Sequence, residues 1–199
     1  MRAYLGEGEV ISDHAVLERL AAEALDCLHP QFVQRTLMAL SIHSGYVPGC
    51  IGRVAELHAR YYHPLVGFGL PFEAKVARQL ADFCERFDPQ RDGLWLALQD
   101  GVVHGSIAID GAHVAEDGAH LRWFITSDAT RGSGVGQQLL STAMAFCAAQ
   151  NYQRVYLWTF EGLPAARHLY EKHGFQLVQQ KAGTQWGSEV HEQRFERRL

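Results

Sequence analysis

The sequence contains no apolar run near the roughly 20 residues that a bilayer-spanning helix needs, so no membrane partner is expected. It also lacks a basic run. Eighteen Lys and Arg stand against 22 Asp and Glu, for a net charge of −4. Nucleic-acid backbones are held by clustered cations, so nucleic acid is not an expected partner. Cysteine is scarce, and Cys27, Cys50, Cys84 and Cys147 form no CxxC pair. That excludes the common zinc-knuckle and dithiol patterns and leaves buried thiols. There are 11 histidines, but His58 with His63, and His113 with His120, lack the spacing and third ligand of a metal site, so no metal is expected. Residues 1–10 carry Glu7 and Glu9 and no apolar stretch. No cleavable leader is read there, and a cytoplasmic setting is the default expectation. Repeats and low-complexity tracts are absent as well.

What is present suits one globular domain with a small appendage, within 199 residues. Ser12–Leu28 is amphipathic, with Val16, Leu17, Leu20, Ala21, Ala24 and Leu25 on one face, and His29-Pro30 stops it. This helix stands apart from the rest, so residues 1–35 are read as an N-terminal helical extension and 36–199 as the main domain. The apolar face of the extension must be covered, by its own sheet or by a partner subunit, which leaves a homodimer open.

Further along, Thr36–His43 reads as a strand and Ile51–Tyr62 as a helix. Pro64–Pro71 reads as an apolar loop, and Phe72–Phe87 as a strong helix. The character then turns to strands. "LWLAL" and "VVHGSIAI" flank Asp100-Gly101, a two-residue hairpin signal. Residues 120–126 form another strand, then a glycine-rich stretch opens a helix. A strand over 154–160, a short helix over Pro164–His173, and strands over 175–180 and 189–198 complete the chain. Gly174 sits where a left-handed helix cap belongs. The order implies an α/β fold, a mixed central sheet flanked by helices.

The glycine stretch is "ATRGSGVGQQLL". A strand feeding a glycine-rich turn feeding a helix is a phosphate cradle: N–H groups at a helix start have no intrahelical partner, and the helix dipole favours an anion. It is not a nucleoside-triphosphate loop of the GxxxxGK[ST] kind, because no Lys follows. Its GxGxG spacing, after an antiparallel hairpin, suits a dinucleotide unit poorly. Arg131-Gly132-Ser133-Gly134-Val135-Gly136, followed by Gln137, is an R-x-x-G-x-G loop. It resembles the acyl-CoA loop of the GNAT (Gcn5-related N-acetyltransferase) family. "ARHLYEKHGF" over 166–175 is similar to that family's second signature. The likeness spans about Thr36–Leu199. It looks closest to the acetyltransferase half of proteins that fuse a MarR-type winged-helix regulator to a GNAT domain, through "LRWFITSDATRGSGVGQQLL", "YLWTFEGLPAARHLYEKHGF" and "TQWGSEVHEQRFE". Residues 1–35 are too short for a winged helix.

The resemblance implies a GNAT-type sheet and an acetyl-CoA-dependent N-acetyltransferase acting on a primary amine of a small molecule or peptide. The rival expectation is a non-catalytic acyl-CoA sensor. Residues 131–137 would bind the pyrophosphate, and the strands at 120–126 and 154–160 would part, so that pantetheine lies along Trp123, Phe124 and Ile125. Unpaired strand amides there can bind pantetheine and stabilise an oxyanion. Tyr170 matches the family's tyrosine acid, and a phenol of pKa about 10 can protonate a leaving thiolate. Leu163 replaces the Asn common in the family. For the general base the sequence leaves alternatives open: Glu161 first, then His120, Glu116, Asp117, His58 or a water chain. Tyr61, Tyr62 and Phe68 fall where an acceptor loop would be.

Overall fold

A computed structural model describes residues 40–199. The expected helix at Ser12–Leu28 and the boundary at 35/36 lie outside the described residues. Strand β1 (Ser41–Ser44) is followed by helices α1 (Cys50–Val66) and α2 (Leu70–Glu85), then strands β2 (Gly93–Gln99), β3 (Val102–Asp110) and β4 (Ala119–Thr126). A 3-10 turn at Asp128–Thr130 leads to α3 (Val135–Ala149), β5 (Arg154–Phe160), α4 (Pro164–Lys172), β6 (Gln176–Gly183) and β7 (Val190–Arg198). The strands form one seven-stranded sheet in the order β1-β2-β3-β4-β5-β7-β6. Among the described residues only β4 and β5 run parallel, joined by the α3 crossover.

Alternation along β2 and β3 explains the layers, since successive side chains leave a strand on opposite faces. Trp95, Ala97, Ile107 and Ile109 pack with Leu139, Leu140, Ala143 and Cys147 of α3. Leu94, Leu96 and Ala108 pack on the other face with Val54 of α1 and Phe72, Val76, Leu80 and Phe83 of α2. The Asp100-Gly101 turn has φ of 51° and 76°, the double positive φ of a two-residue hairpin turn. Gly174 adopts φ 80°, as its place after α4 requires.

The loop expected over Pro64–Pro71 is shorter than its composition suggests. Pro64 lies in the last turn of α1, where its missing N–H costs one i to i−4 bond, and Gly67 (φ 73°) closes the helix by donating to the His63 carbonyl. Leu70-Pro71 already belongs to α2, with Pro71 in the first turn, where its fixed φ suits a helix start. Only Gly67–Gly69 is left between the helices. Cys50, Cys84 and Cys147 are free thiols. Among the described residues no helix is long and apolar enough to cross a membrane, and no His/Cys/Asp/Glu group is arranged to hold a metal ion.

Candidate active site

The sheet parts at one seam. β4 and β5 pair only at Ala119–Val155 and His120–Tyr156. There the imidazole of His120 stacks on the Tyr156 ring, with centroids 4.4 Å apart. Beyond that point, among the described residues, the facing edges of β4 and β5 have no strand partner, while β5 stays paired with β7 through Phe160.

A bulge in β4 accompanies the parting. The β3–β4 register slips between Ser106 and Ala108, and Trp123 takes φ 47°. A bulge bends its strand and disrupts the ladder, and positive φ is strained in a bulky residue. Its effect on packing is direct. Leu121 joins the α3-side core, whereas Trp123, two residues on, joins the α1/α2-side core and Phe124 packs on the α3 side. The Ser106 hydroxyl donates to the Trp123 carbonyl at 2.6 Å and holds the bulged backbone. Neither the bulge nor Ser106 was read from the sequence. The signal was present in "WFI", an apolar run that breaks alternation.

The seam opens into a cleft of about 250 Å³. Leu121, Arg122, Trp123 and Phe124 line one side and Leu157, Trp158, Thr159 and Phe160 the other. His58, Tyr62 and Phe68 from the α1 region line it, as do Lys75 and Gln79 of α2, Gln185 and Trp186 before β7, and Tyr170. Tyr61 packs edge-on against Tyr62 rather than lining the cleft. Tyr170 is 6% exposed and lies among Phe124, Phe175 and Phe195. Burial, with smaller effects of Tyr62 and Tyr61, raises its pKa, so it holds its proton at any ordinary pH. Among the described residues its hydroxyl has no hydrogen-bond partner.

His58 is buried, and its Nδ1 bonds the Val54 carbonyl at 2.8 Å. A carbonyl only accepts, so Nδ1 carries the proton and Nε2 the lone pair. Burial lowers its pKa to about 4. His120 is lowered to about 3, by burial first and then by Arg122. A buried neutral His58 makes stability pH-dependent. Its folded pKa lies below the unfolded value near 6.5, so between pH 6.5 and 4 the unfolded chain binds more protons. Stability therefore falls as pH drops through that window, by up to about 1.4 kcal/mol per unit from this residue. Urea unfolding at pH 7, 5.5 and 4.5 measures the slope, and His58→Leu is expected to flatten it.

Glu161 lies elsewhere. It is an exposed residue paired with His191 Nδ1 at 3.0 Å, and it lines a smaller cavity of about 210 Å³ with Gly162, Leu163 and Arg167. Asp117 is held by Arg194 at 2.6 Å and does not line the cleft; nor does Glu116.

At the start of α3, Gly132 and Gly134 both have φ 80°, with open space where a Cβ would be. The Ser133 N–H donates to the Thr130 carbonyl, and Gln138 N–H to Gly134. Among the described residues, the N–H groups of Gly132, Gly134, Val135, Gly136 and Gln137 find no acceptor. Residues 131–134 are exposed. The Arg131 guanidinium pairs with the Asp128 carboxylate. Gly136 has no positive φ, and a Cβ there would meet Leu169 and Phe124 at an ordinary 3.6 Å. The fold itself would accept alanine at 136. Phe124 has its ring tip 3.6 Å from where a Gly136 Cβ would stand, and its ring centroid lies 6.1 Å from that of Tyr170. The residues present fit a diphosphate followed by a thioester arm.

The chain is thus an α/β protein whose sheet splits beside a glycine-opened helix. The sequence pattern of the Acetyltransferase (GNAT) family matches residues 53–175, and the chain belongs to that family. No curated protein matches the chain. Among solved structures it is similar to an acetyltransferase from Streptococcus agalactiae, at 20% identity and TM-score 0.63 over 81% of this chain and 99% of that one. It is similar to the yncA structure from Salmonella typhimurium, solved with its cofactor acetyl-CoA, at 16% identity and TM-score 0.63 over 80% of this chain and 94% of that one. A phosphinothricin acetyltransferase from Sinorhizobium meliloti, in complex with acetyl-CoA, matches at 18% identity and TM-score 0.61 over 81% of this chain and 89% of that one.

Proposed function

We propose that the chain moves the acetyl group of acetyl-CoA to a primary amine of a small molecule or peptide, within the cleft between β4 and β5. The observation that carries this reading is the seam: among the described residues the edges of β4 and β5 part beside Tyr170, and the amides at the start of α3 find no acceptor. Acetyl-CoA supplies a thioester whose carbonyl carbon accepts the amine and whose sulfur leaves with a negative charge.

The chain's own part is binding, alignment and proton traffic. The N–H groups of Gly132, Gly134, Val135, Gly136 and Gln137 hold the diphosphate, with the helix dipole behind them. Arg131 and Ser133 shape the loop from its N-terminal side. The open edge of Trp123, Phe124 and Ile125 bonds the pantetheine amides, and one N–H of that edge faces the thioester oxygen. Tyr170 gives its proton to the departing sulfur. For the role first given to Glu161, His58 is the alternative: it lines the cleft with Nδ1 committed to the Val54 carbonyl and Nε2 carrying the lone pair, whereas Glu161 borders the smaller cavity. A neutral imidazole accepts a hydrogen bond from the incoming amine and takes its proton. The quoted likeness to the MarR-GNAT fusions supports a kinship with their acetyltransferase half.

A thiol-release assay with acetyl-CoA across amines tests the proposal. Release that depends on an amine is expected. Tight coenzyme A binding with no release for any amine would contradict it and favour a sensor.

A further inference from the structure

On the reading of this cleft as the acceptor site, we infer that the amine acceptor also carries an oxyanion, in the simplest case a carboxylate, held between Lys75 and Arg122. The cleft has an uneven charge. Among the described residues, Lys75 and Arg122 line it and no Asp or Glu does. The two cations come from different layers, Lys75 from α2 and Arg122 from β4 just before the bulge.

Arg122 is fixed in place with donors to spare. Its Nη1 donates to Asp110 at 3.1 Å, its Nη2 donates to Gln79 at 2.7 Å, and its guanidinium lies 4.1 Å from the Trp123 ring centroid. Guanidinium carries further N–H groups in the same plane, and such a fork suits a carboxylate. The Lys75 ammonium donates to the Gln185 carbonyl, which leaves further donors on Nζ. Burial and the Arg122 charge both lower the Lys75 pKa, so the two cations sense each other.

The neighbouring carboxylates stand behind these cations rather than in the cleft. Asp110 is shared, with Arg86 closer at 2.6 Å. Glu192 accepts the Gln185 N–H at 3.0 Å and lies 4.0 Å from Lys181. An oxyanion entering the cleft would find free donors on two cations. A second ammonium entering between them would meet like charge, at a cost of about a hundredfold in affinity. Polyamines are therefore disfavoured, and amino acids or amino phosphonates are favoured.

Matched acceptors test this: an amino acid, its carboxamide, its phosphonate analogue and a diamine of similar length, compared by kcat/KM in thiol release. The acid or phosphonate is expected to exceed the amide by at least tenfold and the diamine by more; which anion leads defines the group. Lys75→Met is expected to bring the acid-to-amide ratio within about threefold, and Lys75→Arg to keep the preference. Amides or diamines accepted as well as acids would overturn the inference and leave the transferase reading intact. An unchanged ratio in Lys75→Met would overturn it too. No release with any amine would remove the transferase reading and this inference with it.

Discussion

Replacing Gly134 by Glu is expected to weaken coenzyme A binding by at least about 100-fold. Two effects add. Gly134 sits at φ 80°, where an L-residue costs about 1–2 kcal/mol. The space beside it is open, so the new side chain meets no steric block from the protein and projects into the cradle. A carboxylate some 5 Å from one phosphate charge adds repulsion of roughly 3 kcal/mol at an effective dielectric of 20. Gly134→Ala separates the two, since it carries the strain without the charge and should lose no more than about tenfold. Calorimetric titration with coenzyme A checks both. Equal affinities in Gly134→Glu and the parent protein would remove this loop from the donor site.

Tyr170→Phe is expected to lower kcat by about 100-fold, the lower range for losing a positioned general acid. The ring stays, so contacts with Phe124, Phe175 and Phe195 persist and acetyl-CoA affinity should stay within about twofold. The contrast between kcat and affinity is the informative readout, because a merely structural tyrosine would move stability and affinity together. A kcat within threefold of the parent would take Tyr170 out of the chemistry.

The order of elements over the described residues was legible in the sequence, because apolar periodicity and turn chemistry act locally. Asp100-Gly101 and Gly174 show this best: each occupies the backbone region its residue type favours. The parting of β4 from β5 came from family resemblance and appears in the register. Other features were hidden for physical reasons. Pro64 and Pro71 were read as loop residues because proline resists helix interiors, yet the first turn of α2 accepts Pro71, and Pro64 costs α1 one hydrogen bond near its end. The bulge at Trp123 depends on Ser106, a partner on the neighbouring strand that no local pattern reveals. The cation pair is also invisible locally, since α2 brings Lys75 to the β4 residue Arg122 only after folding. Glu161 is a different case. Its place just past a core strand suggested the cleft, but β5 ends in a turn that directs it to His191.

A nitrogen-15 NMR titration with coenzyme A tests most directly whether the start of α3 is the donor cradle. The account predicts that amide signals of Gly132, Gly134, Val135, Gly136 and Gln137 shift most and saturate together, with those of Trp123 to Ile125 following. Saturable binding that leaves residues 132–137 unmoved and shifts amides elsewhere would contradict it.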